Sequence, residues 1–297
     1  MFDLTLGDAR LTSVEEISGH RYAPDFLLPQ VTADIVARNA AWMAPDLFDP
    51  ARNLLAMVRQ SNVIRTRHYT ILIDTCVGDC KQRVVPTFHM LNSPWRSNLA
   101  AAGVHPEQVD FVMCTHLHVD HVGWNTQLRD GRWVPTFPNA RYIFGRTEFN
   151  RWMVAHAEGQ DSPDGPVFAD SVLPVVEAGQ ALVVDDGAEL SNGFHLEPTP
   201  GHSPGHVAFH LNSAGAHVVF CGDVMHHPLQ VRAPELSSRF CEDPIASAHT
   251  RAAFLARYAD TDTILAPAHF ERGTLGRVRS GADGFHYDFL AGGSTRP

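Results

Sequence analysis

Four residues with metal-binding side chains fall within six positions of this chain, in His116-x-His118-x-Asp120-His121, directly behind the apolar run Val109–Cys114. A chain of this composition would show three histidines and an acid in that pattern by chance only about 0.007 times. Three imidazoles and a carboxylate are the donors that a zinc-like ion takes at about 2 Å. On an extended or tightly turning segment His116, His118 and Asp120 point roughly one way and His121 another. One ion accommodates all four poorly, whereas two adjacent ions share them well. The cluster therefore asks for a fold that ends a strand at a rigid, ligand-bearing edge, as open α/β sheets do.

The rest of the chain agrees with that class. Ile71–Ile73, Val109–Cys114, Arg141–Phe144, Ala181–Val184, the residues around Phe194, 206–211, 217–221 and Thr263–Ala266 read as strands. Between them, Ser97–Ala102 reads as a short helix capped by Ser97 or Asn98, and Thr147 can cap a second helix reaching about His156. Asp243-Pro244 is a strong helix start, and Ile245, Ala248, Ala252, Leu255 and Ala259 recur at helical spacing as its apolar face. Interleaved strands and helices define an α/β fold. With 297 residues, 44% of them hydrophobic, and no linker or repeat, the chain reads as a single domain over 1–297.

Composition narrows the function. Lys and Arg number 23 against 33 Asp and Glu, a net charge of −10, which argues against nucleic acid and anionic membranes as partners. No stretch approaches the roughly 18 apolar residues of a membrane span, and the N-terminus has neither the basic nor the apolar part of a secretory signal. Five scattered cysteines suit the reducing cytoplasm better than a disulfide framework. Eighteen histidines, the commonest metal ligands, prove nothing by number alone, so their placement decides, and with nucleic acid and membranes set aside a small-molecule substrate is the expected partner.

Further ligand candidates sit just behind other strands. His202 lies in Gly201-His202-Ser203-Pro204-Gly205-His206, Asp223 follows Cys221-Gly222, and His269 follows Pro267-Ala268. Asp74 ends the strand Ile71–Ile73 and is a candidate to orient a ligand imidazole, or a plain strand-end acid. His206 reads as a brace of its loop. His195, His210, His217 and His249 read as structural or solvated. Phe88, His89, Trp95 and Trp124 are candidates for pocket or core, and the spacing Cys76-x3-Cys80 is weak without a second cysteine pair.

The run His116-x-His118-x-Asp120-His121, followed in order by His202, Asp223 and His269, resembles the ligand set of the metallo-β-lactamase-fold hydrolases from about Ile71 to His269. The resemblance implies a four-layer αβ/βα sandwich. It implies that His116, His118 and His202 hold one divalent ion, that Asp120, His121 and His269 hold the other, and that Asp223 bridges them. Zinc is the default, and iron, manganese and cobalt suit the same donors. A hydroxide between two dications would attack a carbonyl, while Asp120 orients or shuttles the proton.

Within that family the chain is most similar to the lactonase, arylesterase and organophosphate-hydrolase branch, which shares a long segment before the core strands, here about 20–60. Trp42, Met43, Leu47, Phe48 and Met57 in it are available to a pocket or a homodimer contact. The lactam-hydrolysing enzymes commonly carry Cys where this chain has Asp223. Flavodiiron proteins carry Glu where it has His118. Quorum-quenching lactonases place a Tyr three residues after the bridging Asp, where this chain has His226. His226 is thus a catalytic candidate as partner of an oxyanion or leaving oxygen. Glyoxalase II-type thioesterases share nearly the same ligands, and the cluster Arg272, Arg277 and Arg279 keeps that alternative open. An iron-dependent redox enzyme on the same scaffold and a metal-stabilised binding protein without turnover are the alternatives of other classes.

Overall fold

The computed structural model describes residues 2–160, 162–271 and 274–290. The strands are β1 (Asp3–Leu6), β2 (Ala9–Tyr22), β3 (Phe48–Asp49), β4 (Leu54–Arg65), β5 (Thr70–Ile73), β6 (Phe111–Cys114), β7 (Thr126–Arg129), β8 (Arg132–Pro135), β9 (Arg141–Gly145) and β10 (Ala181–Val184). They continue with β11 (Phe194–Pro198), β12 (Val207–Ser213), β13 (Ala216–Gly222), β14 (Ile264–Pro267), β15 (Gly276–Gly281) and β16 (Gly284–Phe289). The α-helices are α1 (Pro24–Leu27), α2 (Ala33–Met43), α3 (Trp95–Ala101), α4 (Arg146–Ala157), α5 (Val167–Ser171), α6 (Leu173–Glu177), α7 (Leu229–Arg232) and α8 (Pro244–Tyr258). The chain forms two compact units, Met1–Glu16 with Arg59–Ala188 and Ile17–Val58 with Glu189–Pro297, and the boundary falls inside β2 and β4. Among the described residues no helix is long and apolar enough to cross a membrane.

The larger sheet runs β1-β2-β4-β5-β6-β9-β10, with β3 paired to the start of β4. Its segment β5-β6-β9-β10 is parallel. Ile71, Leu72 and Ile73 are all buried, as a parallel strand covered on both faces requires. Parallel register carries β5, β6 and β9 to one edge, so Asp74 and Thr115–His121 leave the sheet side by side, and Asp74 N–H donates to the Met113 carbonyl. In the same unit, the carboxylate of buried Asp170 accepts from Arg83 at 2.7 and 2.9 Å and from buried Lys81 at 3.3 Å.

Glu16 on β2 reaches the loop behind β5. Its buried carboxylate accepts from Val77 N at 2.8 Å, Gly78 N at 3.0 Å and Trp124 Nε1 at 2.8 Å. That bond, with the stacking of Trp95 on Trp124 at 5.0 Å, places both tryptophans in the core rather than in a pocket. A Cβ on Gly123 would lie 1.8 Å from the Val77 carbonyl oxygen, so only glycine permits this approach.

In the second unit the sheet runs β11-β12-β13-β14-β15-β16, with β13 and β14 parallel. Gly222 lies opposite Pro267, so Asp223 and His269 emerge as neighbours. Helix α8 begins as its sequence requires: the Asp243 carboxylate accepts from Ile245 N and Ala246 N, a cap contributing about 1 kcal/mol. Its buried face differs from the expected stripe. Ser247, Arg251, Phe254, Leu255 and Tyr258 face inward, while Ile245 is 71% exposed and Ala252 is exposed. Buried Arg251 causes the rotation, because its guanidinium donates to the Pro234 and Val224 carbonyls and to Ser237 and Ser247 hydroxyls.

Three further expectations are corrected. Helix α3 starts at Trp95 behind Pro94, so Ser97 lies inside its first turn and its hydroxyl donates to the Pro94 carbonyl. Helix α4 starts at Arg146 with Gly145 before it, and the Thr147 amide donates to the Asp186 carboxylate at 3.1 Å. Met43, Leu47, Phe48 and Met57 are not available to a pocket or a partner. They are buried with Leu27, Leu28, Leu229 and Leu236, and His227 Nε2 donates to the Leu47 carbonyl at 3.0 Å.

Burial raises the Glu16 pKa to about 7, against the pull of its three N–H donors. The folded chain therefore binds more protons than the unfolded chain between about pH 4.5 and 7, and stability falls as pH rises through that window. The expected loss is on the order of 3 kcal/mol. Urea unfolding of wild type and Glu16→Gln at pH 5 and 7.5 should show this slope in the first protein and its absence in the second.

Candidate metal centre

In the first unit the turn behind β6 delivers His116, His118, Asp120 and His121. The rings of His116 and His121 lie 4.0 Å apart by centroids, and those of His116 and His118 lie 4.6 Å apart. His116 and His121 are buried, while His118 and Asp120 are half-buried. Asp74 organises the turn. Its Oδ1 accepts from Thr115 N at 2.8 Å, and its Oδ2 accepts from Thr115 Oγ1 at 2.9 Å and from His121 Nδ1 at 2.8 Å. Thr115 gives its single hydroxyl proton to Asp74, so Oγ1 accepts from His116 Nδ1 at 3.1 Å. Both rings are thereby held through Nδ1, so Nε2 is the nitrogen that would face an ion. Asp74 thus fixes the His121 ring, which is more than a plain strand-end acid does. Helix α4 adds a clamp, since Glu148 Oε1 accepts from Leu117 N at 3.1 Å and from Trp152 Nε1 at 2.9 Å.

Two neighbours of this turn carry no local sequence signal. Arg59 on β4 is buried and places Nε 3.1 Å from Asp120 Oδ2, with its guanidinium 5.3 Å from the Phe88 ring. Asp164 is raised in pKa by burial and then by the charge of Asp120, which places an extra acid beside the turn. His89 is exposed, and its Nδ1 bonds back to the backbone of Arg83.

In the second unit Asp223 is the hub. His202 Nε2 lies 3.2 Å from its Oδ2, His226 Nε2 lies 3.2 Å from the same oxygen, and His269 Nε2 lies 3.1 Å from Oδ1. All four side chains are buried. His202, Asp223 and His226 offer ligand atoms within 4.8 Å of one another. Donors bound at about 2 Å to a common ion lie roughly 3 Å apart, so these separations fit a divalent metal. His269 Nδ1 donates to the Val58 carbonyl at 2.9 Å, which holds the ring with Nε2 toward Asp223. His206 braces the site as expected: its Nδ1 meets Thr199 Oγ1 at 2.8 Å and its Nε2 accepts from Asp223 N at 3.0 Å.

Gly201, just before His202, has φ +127°, and a Cβ there would lie 2.3 Å from Ser247 N. Only glycine lets this loop pack on the start of α8, where Glu242 N donates to the His202 carbonyl. Cys241 Sγ lies 3.6 Å from His202 Nδ1. His226 stands apart from the other imidazoles. Its backbone N–H donates to Gln230 Oε1 at 2.7 Å, but its buried Nδ1 meets no hydrogen-bond partner among the described residues. Burial lowers its pKa against the pull of Asp223.

The remaining candidates fall outside these clusters. His195, His210 and His217 form a separate ladder on β11–β13, with His210 Nδ1 3.0 Å from His217 Nε2. Cys76 is buried against Ser61 while Cys80 is exposed, and all five cysteines are free thiols. Arg277 Nε donates to the Asp262 carbonyl and Arg279 Nη1 to the Thr261 carbonyl, while Arg272 lies outside the described residues.

The profile of the Metallo-beta-lactamase superfamily matches residues 57–269, and the chain belongs to that superfamily. Among its relatives, the probable metallo-hydrolase Rv2300c of Mycobacterium tuberculosis is 24% identical over 245 residues, 72% of this chain and 75% of that protein. The N-acyl homoserine lactonase AttM of Agrobacterium fabrum is 30% identical over 116 residues, 37% of this chain and 39% of that protein. Two solved structures share the fold. The hydrolase AbOPH of the beta lactamase superfamily has a TM-score of 0.80 at 24% identity, covering 99% of this chain and 98% of its own. AidC, a dizinc quorum-quenching lactonase, has a TM-score of 0.77 at 19% identity, covering 98% of each. The chain thus has the metallo-β-lactamase fold.

The hydrogen bond from His121 to Asp74 makes a direct prediction. Asp74→Ala should weaken metal binding 10–100-fold, read by competition with a chromophoric chelator, while the far-ultraviolet dichroism stays that of wild type. An unchanged affinity would remove Asp74 from the metal-orienting role.

Proposed function

We propose that this protein is a dinuclear hydrolase that opens an ester, a lactone or a related carbonyl bond of a small molecule. The observation that carries this reading is the Asp223 carboxylate, which turns Oδ1 to His269 and Oδ2 to His202 and His226. A carboxylate with imidazoles facing both oxygens suits a bridge between two cations. On the family pattern, His116, His118 and His202 would hold one ion and Asp120, His121 and His269 the other, with zinc as the proposed metal. Two such ions supply a water acidic enough to be nucleophilic near neutral pH and a Lewis acid for the carbonyl oxygen.

The chain's own residues do the positioning. Asp74, Thr115 and the Val58 carbonyl hold three imidazoles with Nε2 forward. Asp120, restrained through Oδ2 by Arg59, is the carboxylate proposed to orient or carry the water's proton. His226, buried beside Asp223, is proposed to hydrogen-bond the carbonyl or leaving oxygen in its Nδ1–H tautomer, at the position where quorum-quenching lactonases place a tyrosine. The five free thiols support a reducing compartment. The basic cluster that a glutathione thioester would need is weakened, because Arg277 and Arg279 are already engaged by backbone carbonyls.

Proton release from a panel of lactones, aryl esters, thioesters, a phosphotriester and a β-lactam tests this reading. Release from lactone or ester should disappear with a chelator and return with zinc. Asp223→Ala should lose metal and activity together, and His226→Phe should lower kcat about 100-fold with metal content retained. Release confined to the thioester would turn the assignment to a glyoxalase II-like enzyme. Thiol-dependent oxygen consumption by an iron-loaded protein would turn it to a redox enzyme. Silence across the panel at two metals per chain would overturn it.

A further inference from the structure

A buried arginine beside a cluster of candidate metal ligands runs against simple electrostatics. The side chain of Arg59 on β4 is only 3% exposed, and its Nε donates to Asp120 Oδ2 at 3.1 Å. A guanidinium stays charged throughout the working pH range, and in low-dielectric surroundings it repels a divalent ion nearby. A turn built only to attract cations would be served better by a neutral side chain at this position. The presence of Arg59 is explained if what it does to Asp120 outweighs that repulsion.

Asp120 carries two equivalent oxygens that a turn of its carboxylate exchanges. Arg59 occupies Oδ2, while Oδ1 is turned toward His121, 3.7 Å from Nε2. The His121 ring is itself held from behind, because its Nδ1 bonds Asp74 at 2.8 Å. One bond behind the imidazole and one behind the carboxylate thus set Nε2 and Oδ1 side by side. The guanidinium has its own support. The ring of buried Phe88, which closes the turn Pro86–Phe88, lies 5.3 Å from its Cζ, within the range over which a cation is attracted to a ring face. Exclusion of water around Arg59 also strengthens its attraction to Asp120.

We propose that Arg59 is a positioning residue, which locks the Asp120 carboxylate so that Oδ1 is the oxygen presented to an ion. This role rests on the dinuclear reading, in which Asp120 is a ligand. Repulsion and positioning predict opposite signs when the arginine is removed: tighter metal binding in the first case, weaker in the second. Metal-stripped protein titrated with cobalt(II), followed by visible absorption and by competition with a chromophoric chelator, reads that sign. Arg59→Met should weaken the second of the two ions 10–100-fold, and Arg59→Lys, which keeps the charge and loses the planar fork, should weaken it about tenfold. In Arg59→Ala, added ethylguanidinium should restore part of the lost affinity, and ethylammonium of the same charge should not. Far-ultraviolet dichroism should match wild type in all three, and an alanine variant that fails to fold leaves the other two to decide. Unchanged or tighter cobalt binding in Arg59→Met overturns the proposal, as does equal recovery with the two cations. A fall in kcat/KM at unchanged metal affinity means that the arginine acts on the substrate, which overturns the positioning and leaves the hydrolase reading standing. Arg59-dependent uptake of the second ion by a protein that hydrolyses nothing upholds the positioning and overturns the hydrolase reading instead. Wild type that takes up fewer than two ions overturns both.

Discussion

An imidazole can present one ring nitrogen to a metal only if the ring is held in direction, and in this chain three rings are held by an oxygen at the other nitrogen. His121 gives Nδ1–H to Asp74, His116 gives it to Thr115, and His269 gives it to the Val58 carbonyl. Much of the architecture follows from supplying those three oxygens. Asp74 reaches His121 because β5 and β6 are parallel and end together. Val58 reaches His269 because Met57 bridges Phe270 in an antiparallel pair and Val58 N–H returns a bond to the His269 carbonyl. A neutral imidazole in low-dielectric surroundings needs this support, since a buried ring free to turn would lose both tautomer and direction.

What the sequence disclosed and what it concealed divide along separation in the chain. The cluster His116–His121 was legible because one strand end carries all of it, and His202, Asp223 and His269 were legible because each follows a recognisable apolar run. Asp74 was legible as a strand-end acid, and its orienting role needed the partner from β6. Arg59 and Glu16 were not legible. Each lies far from the residues it serves, 61 positions from Asp120 and 61 from Val77, and nothing local distinguishes them from surface charges. The face of α8 was misread because periodicity counts Ile245 and Ala252 as apolar and Arg251 as polar. Four neutral acceptors in the fold make the arginine an inward residue.

The N-terminal segment shows the same limit from another side. Its apolar residues look like spare contact surface in sequence, yet Met43, Leu47, Phe48 and Met57 fill a core with Leu229 and Leu236. These are the residues that follow the Asp223–His227 loop, and His227 itself is anchored to the Leu47 carbonyl. Burial pushes the His227 pKa down to about 4, so this ring stays neutral and the anchor persists across the physiological range. The segment therefore acts on the second unit's cluster through packing behind the loop, while the ring of Phe26 remains at the surface.

Fold likeness and chemistry separate at this point. A shared scaffold at 24% identity and below fixes where strands end, but it leaves the side chains beyond them free to vary. His226 three residues beyond Asp223, Arg59 against Asp120, and Phe240 against His226 are side chains of this kind. None of them is needed to close a sheet or fill a core. His226 is buried in a polar cluster with one nitrogen unanswered, at a cost that a hydrocarbon side chain would avoid. The contact proposed for His226 with a carbonyl or leaving oxygen would supply the partner that this imidazole lacks beside a buried carboxylate.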